Sequence, residues 1–388
     1  MSVKTFHLSD GRTFKCGRKS PVVRYPLLQL KNYLFTEALP TIPTSIDYSM
    51  GCMASLNEIY DNDTLGDCVI AAVEHTFGVW TGDASDDNTT VNAEPLLYTN
   101  AQTIAFYSAA CGYVNGNENT DNGCDIIPTL DYVEKNGAPA GSNNTIVGIL
   151  ALDAANVVQY TTALYLFENL FFGCDLPDAW INPMPETSGF TWGVAGAGDP
   201  ENGHCFIGVG YNIGVANTIK ISTWGMTGYL TYPAITEYMA NAQNGELYVL
   251  ISQDQLNTAT ELAPNGLDWA QLVADFESMG GVVSNTTPVP VPNTTPNTTP
   301  NTTPNTTPNT TPNTSPNNTP IPTGNTIIGS AAWLQENLSP TYYNELIEVY
   351  KAVETYNPEE HIVGSPGFFK VHLSANAWNE LYTSIVTL

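Results

Sequence analysis

The order of apolar and polar residues divides the chain into helices first and strands later. The run "CVIAAVEHTFGVW" is predominantly apolar and predicts a helix over 68–80. A loop-rich stretch is predicted after it, to about residue 125. The pattern then predicts helices over 127–137, 151–168 and 233–242, and strands over 169–176, 204–212, 218–225 and 246–252. Helices followed by strands favour an α+β fold.

A repeat near the C-terminus separates this block from a second, smaller module. Residues 293–316 read NTTP five times and then NTSP. Proline at every fourth position excludes helix and sheet interior, so 285–323 is predicted to be an extended spacer of roughly 100 Å that carries serial N-x-T sequons. Residues 324–388 contain a helix start at Ser339-Pro340 and a second predicted helix near 374–386. So short a module is predicted to be mainly helical and to dock an unknown protein.

Charge is distributed unevenly along the chain. There are 11 Lys and Arg residues against 38 Asp and Glu residues, a formal charge of −27. This excess repels phosphates and excludes nucleic acid as a general partner. Seven of the eleven basic residues lie within the first 31 residues, where Asp10 is the only acid. Residues 1–44 are therefore predicted to form a basic arm. Two interpretations stay open: the arm lies solvated on the acidic body, or it acts as a pro-segment-like cover or a dock for an anionic partner.

Targeting and cofactor signals are sparse. No stretch is long and apolar enough to span a bilayer, and the first twenty residues lack the apolar core of a signal peptide. These features favour a cytoplasmic or virion-associated protein over a secreted one. The seven cysteines show no metal-ligand spacing, and no metal or organic cofactor is predicted. A disulfide between Cys111 and Cys124, across the Asn/Gly-rich loop, is one open alternative.

One cysteine lies at the start of the first predicted helix. Cys68 follows Gly66-Asp67, so its sulfur is expected to lie in the positive field of the helix N-terminus. That field lowers a thiol pKa and raises the thiolate fraction. Such a nucleophile needs a base within hydrogen-bond reach. The competing interpretation is a buried cysteine that only fills the core.

His204 is the histidine that such a nucleophile can use. His75 lies seven residues along the same helix, with its backbone about 10 Å away. The others lie in the basic arm or beyond the spacer: His7, His361 and His372. In strand alternation, His204 shares a face with Gly208 and Gly210, and these glycines are expected to leave room for the helix that carries Cys68. A histidine that only fills the core is the alternative.

Five stretches, in order, resemble the papain-like cysteine peptidases. They are "SIDYS" at 45–49, "GDCVIAA" at 66–72, "NGCDIIPTLDYVEKNG" at 122–137, "NGHCFIGVGYN" at 202–212 and "IKISTWGMTGYL" at 219–230. The stretch "NDTLGDC" is also similar to that of uncharacterised bacterial and viral papain-like domains. The resemblance implies a papain-like fold, with a helical subdomain followed by an antiparallel β-subdomain.

The resemblance also implies roles for four residues. Cys68 stands at the position of the nucleophile and His204 at that of the catalytic base. Asn62, six residues before Cys68, occupies the position of the oxyanion-hole glutamine. Ser222 occupies the position of the asparagine that orients the histidine. Both replacements keep a hydrogen-bonding group on a shorter side chain.

These patterns together predict an organisation and an activity. The predicted segments are the arm at 1–44, a papain-like domain at 45–255, a connecting segment at 256–284, the spacer at 285–323 and the helical module at 324–388. The implied activity is thiol-dependent hydrolysis of a peptide or amide bond in a polypeptide or peptide-like substrate. Two alternatives stay open. One is a catalytically weak or inactive papain-like fold with a structural or binding role, on a virion or cell surface. The other is acyl-transfer or amidase chemistry on the same framework.

Overall fold

The computed structural model of the protein describes residues 3–21, 27–35, 38–83, 94–240, 244–279 and 282–283. Contacts group residues 1–291 into one compact unit and residues 292–388 into another. All described residues belong to the first unit. The predicted spacer and the predicted C-terminal helical module lie outside the described residues and stay predictions.

Helices dominate the first part of this unit and strands the second. The helices are α1 Met53–Leu56, α2 Cys68–Asp83, α3 Asn100–Cys111, α4 Ile126–Asn136, α5 Val157–Phe167, α6 Asp178–Ile181, α7 Tyr232–Tyr238, α8 Gln253–Leu262 and α9 Trp269–Met279. The strands are β1 Lys4–His7, β2 Thr13–Cys16, β3 Ile46–Asp47, β4 Gly148–Ala151, β5 Leu170–Pro177, β6 Phe190–Trp192, β7 Gly198–Tyr211, β8 Thr218–Thr223, β9 Met226–Thr231 and β10 Glu246–Ile251. The predicted α+β class is confirmed. Within the described ranges, no helix is long and apolar enough to cross a membrane.

One large, mostly antiparallel sheet forms the second half of the unit. Its strands lie in the order β4-β10-β5-β7-β8-β9-β6, and β3 also pairs with β7. The described pairings in this sheet are antiparallel except that of β6 with β9. In the arm, β1 and β2 form a separate antiparallel pair. Strand β7, which carries His204, therefore has neighbours along both edges.

Helix α2 is central because its sequence is apolar on nearly every side. Val69, Ile70 and Val73 are all buried, as expected for a helix that is hydrophobic all round. The helix packs against β7 on one side and against α1, α3 and α4 on others. It begins at Cys68, as the sequence predicted. Its first residue therefore lies where the helical core meets the sheet.

Alternation along β7 assigns its residues to two different cores. Cys205 and Ile207 pack in the core around α2, whereas Phe206 packs in the core on the opposite face of the sheet. The expectation that α2 would pack on the glycine-containing face of His204 is therefore wrong. A side chain at Gly208 would instead overlap residues of the neighbouring strands β5 and β8. The glycine serves packing between strands, and the helix uses the other face.

Two parts of the chain have more regular structure than their sequence indicated. The stretch predicted as loops contains α3, which begins with a capping box made by Thr99 and Gln102. The predicted connecting segment 256–284 contains most of α8 and all of α9. The ring of Trp269 in α9 contacts that of Phe167 in α5 at a centroid distance of 6.4 Å. The compact unit therefore continues past residue 255.

A disulfide joins Cys111, at the end of α3, to Cys124, just before α4. It is the pairing that the sequence left open. The bond closes a loop with a sequence separation of 13. It also holds Cys124 in place, and the basic arm passes next to this residue, as described below.

Loss of this disulfide is expected to lower the free energy of unfolding by about 2–4 kcal/mol, because the open loop gains conformational freedom in the unfolded chain. Urea denaturation of the wild type, with and without dithiothreitol, measures the change. The variant Cys111→Ala/Cys124→Ala should unfold near the midpoint of the reduced wild type and should not respond to dithiothreitol. A wild-type midpoint that ignores the reductant would contradict this prediction.

Candidate active site

Cys68 is the first residue of α2 and lies beneath the N-terminal arm. Its side chain is buried. The backbones of two residues approach its sulfur and act to lower the pKa of the thiol by hydrogen bonding, that of Gly17 in the arm and that of Cys205 in β7. Because Cys205 directly follows His204, this contact ties the candidate nucleophile to the strand position beside the candidate base.

Burial changes the ionisation expected for Cys68. It raises the pKa of the thiol to about 12, although the hydrogen bonds from Gly17 and Cys205 act in the opposite direction. The sequence suggested that the helix N-terminus would lower this pKa. In the covered site, the loss of water outweighs that effect, because desolvation disfavours the charged form. Cys68 is therefore a neutral thiol near neutral pH.

His204 stacks on Trp224 and is held at one ring nitrogen. The ring centroids lie 4.0 Å apart, and Nε2 of His204 hydrogen-bonds with Oγ1 of Thr223 at 2.6 Å. The other nitrogen, Nδ1, is buried and has no hydrogen-bond partner among the described residues. Burial lowers the pKa of His204 to about 3, and the positive charge of Arg18 acts in the same direction. The imidazole is therefore neutral, and Nδ1 is the nitrogen left to exchange a proton.

The hydroxyl that contacts the imidazole stands one residue beyond the position implied by the resemblance. Ser222 is buried, and its hydroxyl donates to the carbonyl of Leu56 at 3.4 Å rather than bonding to His204. Thr223 makes the imidazole contact instead. Strand β8 ends at Thr223, and the chain turns directly after it, with Trp224 at a φ of +50°. A motif match compares the order of residues and carries no information about the geometry of this turn.

Asn62 is buried in the turn that leads into α2, and its amide is already engaged. Nδ2 donates to the carbonyl of Leu65 at 3.0 Å and to Oδ1 of Asp67 at 3.2 Å. An asparagine amide has two N–H groups, so both donors have acceptors. The backbone carbonyl of Asn62 accepts from the N–H of Lys15 in the arm at 2.9 Å. In this state the residue braces the turn and does not present a free donor.

Residues 13–19 of the arm, here called the covering segment, pass over Cys68. On one side, the segment's backbone makes two hydrogen bonds with that of Cys124, of 2.8 and 2.7 Å. On the other side, the N–H of Arg18 donates to the carbonyl of Gly203 at 3.0 Å. The segment therefore pairs with the helical side and with the sheet side, as an added strand does.

Glycines allow the covering segment to approach this closely. A Cβ atom on Gly17 would overlap the backbone of Gly66, two residues before Cys68. A Cβ atom on Gly203 would overlap the carbonyl oxygen of Arg18. Only a residue without a side chain fits at these two contacts. The segment and the cleft are therefore shaped for each other.

Side chains hold the arm on the acidic body. Nζ of Lys15 lies 3.0 Å from Oδ2 of Asp121, and Nζ of Lys4 lies 3.6 Å from Oδ2 of Asp199. The indole N–H of Trp224 donates to the carbonyl of Lys15 at 3.2 Å. The arm thus lies on its own acidic body, but it is not solvated there as that interpretation expected, because Phe14, Cys16 and Arg18 are buried. It also lies over the candidate nucleophile, as the other interpretation expected.

Sequence reasoning did not single out three residues of this site: Thr223, Gly17 and Arg18. Thr223 stood beside the predicted position in the same motif, and its hydroxyl was a usable signal. The two arm residues gave no signal, because their roles depend on the surface they meet after folding. Cys205 lies in the core around α2, and its backbone also acts on the thiol of Cys68.

No group of three or more His, Cys, Asp or Glu side chains in the described part of the chain is arranged to hold a metal ion. The imidazole of His204 and the hydroxyl of Thr223 form one contact of the site, and the thiol of Cys68 lies against the backbone of Cys205, the residue after His204. They lie beneath a segment of the chain's own backbone.

Among solved structures, the chain is similar to papain-like cysteine proteases. Xylellain, a cysteine protease from Xylella fastidiosa, is 15% identical over 61% of this chain and 96% of that chain, with a TM-score of 0.44. Recombinant stem bromelain precursor is 14% identical over 61% of this chain and 76% of that chain, with a TM-score of 0.40. Digestive procathepsin L2 proteinase from Tenebrio molitor larval midgut is 10% identical over 55% and 69%, with a TM-score of 0.34. The sequence matches no protein-family model and no curated protein.

Proposed function

We propose that the protein is a papain-like thiol hydrolase of peptide or amide bonds, and that its N-terminal arm keeps it latent. The observation that carries the proposal is the position of the covering segment. A stretch of polypeptide lies over Cys68 and pairs through its main chain with both sides of the cleft. A cleft that binds an extended backbone in this way suits a polypeptide substrate.

Release of the arm activates the two buried groups. It exposes the thiol of Cys68, which burial keeps neutral, and it removes the positive charge of Arg18 that lowers the pKa of His204. The thiol proton then passes to Nδ1 of His204, the ring nitrogen that has no partner in the covered state. The product is a thiolate beside an imidazolium, the reactive form of such a pair.

The proposed chemical steps use these groups in turn. The thiolate attacks the carbonyl carbon of the substrate and forms a C–S bond, and the backbone N–H of Cys68 at the helix start donates to the developing oxyanion. The imidazolium of His204 returns its proton to the amine as the C–N bond breaks. Water then hydrolyses the thioester, with His204 as the base, and the thiol is regenerated. Thr223 positions the imidazole, and Asn62 holds the turn before α2.

The experiment that tests this function uses the full-length chain with Gly17→Ala, a change that the covering segment cannot accommodate in place. We expect this variant to cleave denatured casein, with the new N-termini identified by mass spectrometry. The variant Gly17→Ala/Cys68→Ala should be inactive, while Gly17→Ala/Cys52→Ala, which removes another buried thiol, should stay active. Cleavage that survives the loss of Cys68 would refute the proposal. Product analysis with an added amine separates hydrolysis from acyl transfer.

Thr223→Val, on the Gly17→Ala background, is expected to lower the rate of hydrolysis about tenfold. Losing the hydroxyl that holds Nε2 of His204 costs on the order of 1 kcal/mol of orientation. Ser222→Ala should change the rate less than about twofold, because its hydroxyl bonds to Leu56. Thr223→Ser keeps the hydroxyl and should restore the rate and its pH profile. Equal losses in Thr223→Val and Ser222→Ala would contradict this assignment.

One observation favours the alternative, a structural or binding role. The side chain of Arg18 has no exposed surface in its ion pairs, so the arm is an integral part of the compact unit. Under this alternative the arm stays in place and Cys68 remains an unreactive core residue. The two functions differ in a direct measurement. If Cys68 resists alkylation in a folded Gly17→Ala variant, the structural role is the better account.

A further inference from the structure

The side chain of Arg18 occupies a closed acidic pocket beside Cys68. Its Nε donates to Oε2 of Glu246 at 2.8 Å, and Nη1 donates to Oδ1 of Asp175 at 3.4 Å. Its Nη2 donates to the same oxygen of Glu246 and to the backbone carbonyl of Asn244. The exposed fractions of the three charged side chains are 0% for Arg18, 5% for Asp175 and 1% for Glu246.

The carboxylates of this pocket are held from the body and not only by the arm. The hydroxyl of Tyr248 donates to Oε1 of Glu246 at 2.9 Å. Nδ2 of Asn244 donates to Oδ2 of Asp175 at 3.2 Å. Each acid therefore keeps a bond to the body on the oxygen that Arg18 does not use. The acceptors that face Arg18 stay oriented when the arm leaves.

The pocket also has room for a long, flat side chain. A Cβ atom on Gly173 would overlap the guanidinium end of Arg18 and the side chain of Ile126. The missing side chain in β5 and the apolar wall from α4 thus leave a slot whose far end is acidic. A planar guanidinium fits such a slot, because its N–H groups form a fixed fork that reaches several acceptors at once.

The position of the pocket relative to the candidate nucleophile is fixed by the chain. Gly17 lies against the backbone of Gly66, two residues before Cys68, and acts on the pKa of its thiol, and Arg18 is the next residue, with its Cα about 3.8 Å further on. The N–H of Arg18 bonds to Gly203, immediately before His204. A residue whose backbone takes this place has its side chain in the acidic pocket and its neighbour over the thiol.

We infer that this pocket, formed by Glu246, Asp175 and the carbonyl of Asn244, binds an arginine side chain of an incoming polypeptide after the arm has left. This inference rests on the proposed function and names its substrate class: polypeptides with arginine close to the bond attacked. Two buried carboxylates without a cation are unfavourable, so the vacated pocket selects a replacement positive charge. Arginine is preferred over lysine because a single ammonium cannot match three separated acceptors in one plane.

The test measures binding in a chain that cannot hydrolyse the probe. Full-length Gly17→Ala/Cys68→Ala displaces the arm, keeps the pocket residues and has no thiol at the site. Isothermal titration calorimetry compares acetyl-Ala-Arg-Ala-amide with the same peptide carrying citrulline, a neutral isostere, or lysine. We expect the arginine peptide to bind at least about tenfold more tightly than the citrulline peptide, as for a charge-assisted contact. Adding Glu246→Gln should reduce that preference to less than about threefold.

Two controls keep the result decisive. Glu201→Gln removes an acid at the rim, with 81% of its side chain exposed, and should leave the arginine preference unchanged. If circular dichroism shows that Gly17→Ala/Cys68→Ala does not fold, Gly203→Ala/Cys68→Ala decides, because a Cβ atom at Gly203 would overlap the carbonyl of Arg18 and also displace the arm. Equal binding of the arginine and citrulline peptides, a preference that survives Glu246→Gln, or no binding to a folded variant overturns the inference.

The outcome is separable from that of the proposed function. Arginine-selective binding without hydrolysis by the Cys68-containing Gly17→Ala chain would support the pocket and refute the hydrolase. Casein cleavage that depends on Cys68 but shows no preference for sites near arginine, together with equal peptide binding, would refute the pocket and support the hydrolase.

Discussion

Replacing Gly17 by alanine in the full-length chain is expected to raise the rate at which iodoacetamide alkylates Cys68 at neutral pH by on the order of 10³-fold. In the covered state the pKa of the thiol is raised to about 12 by burial, so the reactive thiolate is scarce. The added methyl group would overlap the backbone of Gly66, which cannot rotate away as a side chain can. The covering segment must therefore leave, and water then returns the thiol toward its ordinary pKa near 8.5.

Peptide mapping after alkylation makes this result specific. Thr5→Ala is the matched arm control, because Thr5 is exposed in β1 and its change should leave Cys68 unreactive. Cys52 is the internal control for folding, since it is fully buried in the helical core and should stay unmodified in every folded variant. Alkylation of Cys52 together with Cys68 would indicate unfolding. A folded Gly17→Ala chain that labels as slowly as the wild type would show that the arm does not control access.

Gly17 is a better residue to substitute than Arg18 in this measurement. Arg18→Ala would leave Glu246 and Asp175 buried without their cation. Removing one partner of a buried ion pair costs about 3–5 kcal/mol, a large share of the stability of a small unit. The resulting labelling would then mix release of the arm with loss of the fold. Gly17→Ala keeps every charged side chain in the protein and acts on the fit of the backbone, although it moves Arg18 together with the arm.

The sequence predicted well those elements whose own burial determines the order of apolar and polar residues along them. Helix α2 has one apolar residue after another, and it begins at Cys68 as predicted. Strand β7 places successive residues on opposite faces, with Cys205 in one core and Phe206 in the other, as its predicted alternation requires. Helix α3 was missed because the many small and polar residues in its sequence obscure the pattern of its buried positions. The pair Thr99 and Gln102, which forms its capping box, was the local signal that could have found it.

The parts of the site that the sequence could not provide depend on contacts between distant segments. Ser222 and Thr223 are adjacent hydroxyl residues, and only the turn after β8 decides which one meets His204. The basic arm was predicted to meet acidic groups, but its charge could not indicate which groups or where. Gly17 lies on Cys68 because two backbone segments fit together, and no residue type in the sequence indicates such a fit.

His204→Ala on the Gly17→Ala background is expected to lower casein hydrolysis by about 10²- to 10⁴-fold, the usual contribution of a general acid–base group. In the covered state the pKa of His204 is lowered to about 3, mainly by burial and to a smaller extent by the charge of Arg18, so the imidazole stays neutral. The charge of Arg18 acts through the arm, and we expect release of the arm to raise this pKa toward the ordinary value near 6.5. A cation beside the sulfur favours the thiolate, so the midpoint of Cys68 alkylation should lie below pH 8.5 in the Gly17→Ala chain.

The pH profile separates this role from a loss of structure. Without His204 the sulfur has no neighbouring imidazolium, and the alkylation midpoint should move up to about pH 8.5, the value of an ordinary exposed thiol. His75→Ala is the matched control, because His75 is also buried, and its pKa is likewise lowered to about 3 by burial. It lies seven residues along α2 and should leave the midpoint unchanged. If His204→Ala and the Gly17→Ala parent give the same profile with a midpoint near 8.5, His204 does not activate Cys68. The buried pair would then be part of a core in which the thiol has no catalytic partner.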